Sequence, residues 1–176
     1  MATRRQFAQA LLAALHLPVN DANTASIIAW QVAEGGHWNN GALYNPLNTT
    51  LTMPGSVTVI KLSGSIGIQA YVNWEEGLSA TAKTLAAGIY APIRAALSRS
   101  ASVREFLQAV DSTPWGTHFN DTQLAYFSSP AIQSYGDTPD PHPQGGPLPA
   151  GGGGSPAALL LVAGAGLYAY AKGWLG

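Results

Sequence analysis

The stretch DANTASIIAWQVAEGG, residues 21–36, decides the fold. Ala25, Ile28, Ala29 and Val32 recur at the three- and four-residue spacing that lines up one face of an α-helix. Gly35 and Gly36 stand where glycine commonly follows a helix end. The pattern predicts a helix from Asp21 that stops at Glu34. That glutamate is the only acid between Asp21 and Glu75, and Trp30, one turn earlier, shares its face.

Outward from this helix the pattern repeats. Thr3-x-x-Gln6 has the form of a capping box, in which a hydroxyl and an amide each satisfy a free backbone N–H. It opens a helix carrying Phe7, Leu11, Leu12 and Leu15, which Pro18 ends. Residues 7–17 are apolar enough to raise the question of a signal peptide. Gln9 and His16 interrupt them, however, and no small-x-small cleavage site follows, so a helix of the domain is expected. Residues 38–67 are rich in Asn, Gly, Pro and Thr around one β-branched run, Val57 to Ile60, and predict a loop and a short β-hairpin. Further helices are expected from Asn73-x-x-Glu76 to about Ala87, over Pro92–Leu97, from Ser102-x-x-Glu105 to about Val110, and over Asp121–Phe127, with Asp121 as its cap. The expected domain, residues 1–130, is α+β and mainly α, with a small hairpin.

Past Pro130 the composition breaks. Five prolines between residues 139 and 149 and the run Gly151 to Gly154 cannot build a core, so residues 131–155 are expected to form a linker. Pro156 to Ala171 carries no charge, and Lys172 with Trp174-Leu175 extends the apolar length to about twenty residues, the span of a bilayer. Tyr168, Tyr170 and Trp174 suit an interface. Residues 156–176 are therefore expected to form a single C-terminal transmembrane helix, anchored in a lipid membrane. A helix docking on another protein is the alternative.

Composition excludes several function classes. The chain of 176 residues is 47% hydrophobic but only 10% charged, with a formal net charge of -1 and no Lys/Arg runs, so no nucleic-acid partner is expected. Without cysteine there is no disulfide, thiol nucleophile or Cys-type zinc site. His16, His37, His118 and His142 are scattered without metal-ligand spacing, so neither a metal nor a cofactor is expected. Glu34 is the one residue set up for acid–base chemistry. A carboxyl at the negative end of a helix and against an apolar wall resists ionisation. A glycosidase needs a carboxyl protonated near neutrality to give its proton to the leaving oxygen. An ordinary surface glutamate in a last turn would have the same local sequence.

The segments Ala33-Glu34-Gly35-Gly36, Tyr44-Asn45-Pro46-Leu47-Asn48-Thr49-Thr50, Gln69-Ala70-Tyr71 and Glu76-Gly77, with the turn Trp115-Gly116-Thr117, resemble in order and spacing the lysozyme-like domains of actinobacterial phage proteins. Those domains are similar to the clan of goose-type lysozymes, lytic transglycosylases and bacterial glucosaminidases. The resemblance covers roughly residues 5–118. It implies a peptidoglycan-cleaving enzyme, a muramidase or lytic transglycosylase, with Glu34 as catalytic acid. It further implies that Asn45, Asn48, Thr49 and Thr50 line a sugar groove and that Tyr71 stacks on or orients a sugar. Trp38 and Trp115 would then be aromatic platforms, and His37 would line the cleft. The expected partners are peptidoglycan strands, the membrane and other virion proteins, in a virion with an internal membrane or in a host cell envelope. One departure stands out: no second carboxylate is evident, which leaves hydrolysis and transglycosylation open. It also leaves open a rival reading, a non-catalytic structural or glycan-binding virion protein on the same fold.

Overall fold

The computed structural model describes residues 2–142 as an α+β, mainly helical domain. In chain order these are α1 (Arg4–Ala14), α2 (Asp21–Glu34), α3 (Gly36–Asn39), β1 (Val57–Ser63), β2 (Ile66–Ala70), α4 (Trp74–Ala86), α5 (Ala91–Ser98), α6 (Val103–Asp111), α7 (Asp121–Phe127) and α8 (Pro130–Gln133). The expected transmembrane helix lies outside the described residues. Among the described residues no helix is long and apolar enough to cross a membrane.

The helix starts follow from their caps. Thr3 and Gln6, and Ser102 and Glu105, form reciprocal capping boxes that satisfy two free N–H groups each. Asn73 caps α4 by accepting from the Glu76 N–H at 2.8 Å. For α7 the cap is Asn120, paired with Gln123, rather than Asp121, whose carboxylate meets Arg104 at 2.6 Å.

Helix α2 is the axis of the domain, packed by α1, α6, α7 and α8. Its Ile27, Ile28 and Trp30 are fully buried with Leu11, Leu12, Leu97, Phe106 and Leu107 in the main core. A second, smaller cluster of Leu43, Tyr44, Ala70, Tyr71 and Ala80 joins the hairpin to α4. Strands β1 and β2 pair antiparallel, with Val57 opposite Ala70 and Ser63 opposite Ile66, and irregularities near residues 59 and 62. Gly67 is required there, since a Cβ would lie 2.4 Å from Thr58 Cγ2 and 2.5 Å from the Ile60 carbonyl.

The loop before the hairpin is bound to β2. Gln69 N–H donates to the Thr49 carbonyl at 3.2 Å, and Tyr71 N–H to the Leu43 carbonyl at 2.9 Å. The same loop abuts the end of α2: a Cβ on Gly36 would sit 2.2 Å from the Asn45 carbonyl oxygen and 2.4 Å from that of Pro46. This close approach is what the second glycine of the Gly35-Gly36 pair permits.

The expected linker begins too early. Residues 131–142 fold onto the domain: α8 and a 3-10 turn at Ser134–Asp137 pack on α1 and α2, and Pro139 bridges Thr3. Asp140, amid prolines, is buried. Linker composition hides a segment that docks through the buried Ile132 as well as through Asp140.

Candidate active site

Glu34 closes α2 because Gly35, at φ 60°, turns the chain left-handed and ends the helix with its N–H on the Gln31 carbonyl. The glutamate side chain is partly buried and faces hydrogen-bond donors. Trp30 Nε1–H donates to Oε1 at 3.1 Å. The Thr117 hydroxyl, 83 residues away in sequence, also meets Oε1. Asn48 Nδ2–H donates to the Glu34 main-chain carbonyl at 2.8 Å and reaches Oε2 at 3.4 Å. Trp115 packs edge-on against Trp30 at 4.7 Å, with its indole also within reach of the carboxyl.

Burial raises the Glu34 pKa to about 7, against the opposing pull of hydrogen bonds from Thr117, Trp30, Asn48 and Trp115. Desolvation wins because Trp30 is wholly buried and the surrounding groups are neutral dipoles, with no cation among them. The carboxyl is therefore half-protonated near neutrality. It can release a proton to an oxygen that is acquiring charge and take one back afterwards.

Asn48 adopts φ 55°, a left-handed conformation that asparagine tolerates better than most residues. Asn40 Nδ2–H donates to its Oδ1 at 3.1 Å, which fixes the amide so that its NH2 faces Glu34. The turn at Gly116, φ 96°, delivers Thr117 from the opposite side.

The other residues expected in the groove divide differently. Asn45 is fully buried, donating to the Thr49 and Gln69 carbonyls at 2.8 and 2.7 Å and accepting from the Thr49 N–H at 2.8 Å. It staples the loop to β2 and has no donor left for a sugar. Thr49 is buried against the Thr81 hydroxyl at 3.2 Å. Tyr71 is 0% exposed, its hydroxyl donating to the Leu51 carbonyl at 2.8 Å, so no ring face is open for stacking. Thr50 is exposed, and none of its side-chain bonds ties it to Glu34.

His37 and Trp38 belong to a second polar cluster. His37 is 0% exposed, with Nε2 on Asp140 Oδ1 at 2.7 Å. Its Nδ1 accepts from the Tyr44 N–H at 2.7 Å, so the imidazole is the neutral Nε2–H tautomer. Burial lowers its pKa, which agrees with that assignment. Trp74 Nε1–H donates to Asp140 Oδ2 at 3.0 Å. Trp38 donates to the Pro139 carbonyl at 3.0 Å, and the buried Arg4 guanidinium covers its ring at 4.5 Å. These residues lock the C-terminal segment and do not line a cleft around Glu34, which corrects the expectation for both.

In the sequence Thr117 reads only as part of a turn, and nothing local points to its contact with the acid. Trp115, Thr117 and Phe119 alternate with more polar or flexible neighbours, and this period-two pattern was the available signal. Among the described residues no group of three His, Asp or Glu side chains converges as a metal site. No second carboxylate is bonded into the Glu34 cluster: Asp111, Asp121, Asp137 and Asp140 pair with His118, Arg104, Arg5 and His37 respectively. Comparison with protein-family models, curated proteins and solved structures finds no match to this chain. The lysozyme-like resemblance therefore rests on the quoted residues alone.

Proposed function

We propose that the chain is a glycosidase acting on peptidoglycan, with Glu34 as its single general acid and a C-terminal membrane tether. The observation that carries this reading is a carboxyl at a helix end, partly buried among two indoles, an amide and a hydroxyl, with its pKa raised to about 7. Such a group protonates the bridging oxygen as the C1–O bond breaks, and the bond's electron pair stays with that oxygen. Water, or the muramyl 6-hydroxyl, then adds to C1 and returns a proton to Glu34. With one acid at the site, assistance from the substrate's own N-acetyl group suits the chemistry better than a carboxylate nucleophile. The thirteen residues between His142 and Pro156 would span on the order of 20 Å as a flexible chain, which would let the domain sample wall near a membrane surface.

Full-length protein incubated with purified sacculi tests this. Cleavage by wild type that Glu34→Gln abolishes, with sacculus binding kept, supports the enzyme. Equal cleavage by both, or none by wild type, rejects it in favour of a glycan-binding or structural module. The lack of a second carboxylate in the Glu34 cluster favours that module. Mass spectrometry of the products assigns the reaction: anhydro ends for transglycosylation, reducing muramic ends for muramidase hydrolysis.

A further inference from the structure

The two oxygens of the Glu34 carboxyl are not equivalent. Oε1 meets both Trp30 Nε1–H, at 3.1 Å, and the Thr117 hydroxyl. An indole N–H can only donate, and a carbonyl-type oxygen accepts far better than an acid's O–H oxygen. Among the hydrogen bonds of good geometry, Oε2 has a single long one, 3.4 Å to Asn48 Nδ2, whose amide already donates at 2.8 Å to the Glu34 main-chain carbonyl, while the Trp115 indole lies near the carboxyl. Thr117 is itself 2% exposed and is held where it lies by the turn at Gly116.

We propose that Thr117 is a positioning residue: with Trp30 it holds Oε1 as a pure acceptor, so that the acidic proton resides on Oε2 and is delivered from there. The inference rests on the reading of Glu34 as the acid, but its physical content is separate. Two hydroxyl orientations are possible. If Thr117 donates to Oε1, it stabilises the carboxylate, and the proton of the neutral form sits on Oε2. If instead Oε1 carries the proton and donates to Thr117, the hydroxyl stabilises the neutral acid. The two arrangements shift the Glu34 titration in opposite directions when the hydroxyl is removed. The groups that shift Glu34 come from α2 (Trp30), the loop before β1 (Asn48) and the turn before α7 (Trp115 and Thr117). All are neutral, so no second charge confuses the sign.

The test is a carboxyl-carbon NMR titration of Glu34 in the full-length chain as wild type, Thr117→Val and Thr117→Ser. The expected result is a midpoint at least half a pH unit higher in Thr117→Val, restored by Thr117→Ser. Trp30→Phe, which removes the other donor, is expected to move it the same way and serves if the valine variant does not fold. A lowered midpoint, or none moved, overturns the proposal. On sacculi, Thr117→Val should extend activity to higher pH while its plateau rate falls by about tenfold to a hundredfold through lost orientation. A wild type without lytic activity would reject the enzymatic reading, yet the titration would still decide how Thr117 holds the carboxyl.

Discussion

His37 and Asp140, 103 residues apart in sequence, share a 2.7 Å hydrogen bond in which the imidazole is wholly buried and neutral. The Tyr44 N–H on Nδ1 leaves no room for a second ring proton. Asp140 collects the His37 and Trp74 N–H groups and the N–H of His142 at 2.6 Å. Removing the carboxylate strands one buried donor, on His37, and two partly buried ones, on Trp74 and His142. Asp140→Ala should cost about 3 kcal/mol, the upper range for leaving a buried hydrogen-bond donor unsatisfied. That lowers the melting temperature by roughly 6–12 °C, read by calorimetry. A loss within error would mean the segment is not locked.

The same pair makes stability fall on the acid side. Burial holds the folded His37 below the ordinary imidazole value of 6.5, so its contribution is complete above that value and declines as pH drops from 6.5 towards the folded pKa. Burial pushes Asp140 up, but the bonds from His142, His37 and Trp74 outweigh it and hold the carboxyl below 3.8. Its contribution is lost only as pH falls past that value. Urea melts should show one decline starting near pH 6.5 and a second below pH 4, both reduced in His37→Gln.

Glu34 acts in the opposite sense. Its folded pKa, raised from 4.5 to about 7, means the native state holds the proton more tightly than the unfolded chain. The resulting stability is present in full below pH 4.5 and lost as pH rises through 7. Glu34→Gln, which has no charge to bury, should be more stable than wild type above pH 7 by on the order of 2 kcal/mol, the rise from 4.5 to about 7 discounted for partial exposure. The difference should vanish near pH 4. Parallel stability curves for the two proteins would contradict the raised pKa.

Gly36→Ala should disrupt the site without touching a functional group. The new Cβ, 2.2 Å from the Asn45 carbonyl oxygen, can be accommodated only by moving the loop away from the end of α2. Asn48 would be drawn off Glu34 with it. The expected readout is a stability loss of about 2 kcal/mol or more, together with a changed Glu34 titration midpoint. A tolerated alanine with an unmoved midpoint would show that the loop does not set the acid's environment.

What the sequence made legible was local and periodic. Capping pairs such as Thr3 with Gln6 and Ser102 with Glu105 announce helix starts because their chemistry is satisfied within one turn. The Trp30–Glu34 contact was readable because four residues of helix bring the side chains together. Asn45, Asn48 and Thr49 were not separable in advance. An amide that staples a loop and an amide that faces the acid have the same composition, and only the pairing partners, Gln69 or Glu34, distinguish them. Tyr71 failed as a groove residue because its ring fills the space between the hairpin and α4. Asp140 was hidden by prolines, since a buried acid whose donors come from residues 37, 74 and 142 leaves no nearby pattern.

The bridge between Thr3 and Pro139, reinforced by Asp140 N–H on the Ala2 carbonyl at 2.8 Å, brings the beginning and end of the described chain side by side. Traction applied beyond His142 would load this seam and the cap of α1 first. The Glu34 cluster, built from α2, the pre-hairpin loop and the turn at Gly116, has none of its direct bonds in that load path. A domain loaded at this seam can yield there while the bonds around the Glu34 carboxyl stay aligned.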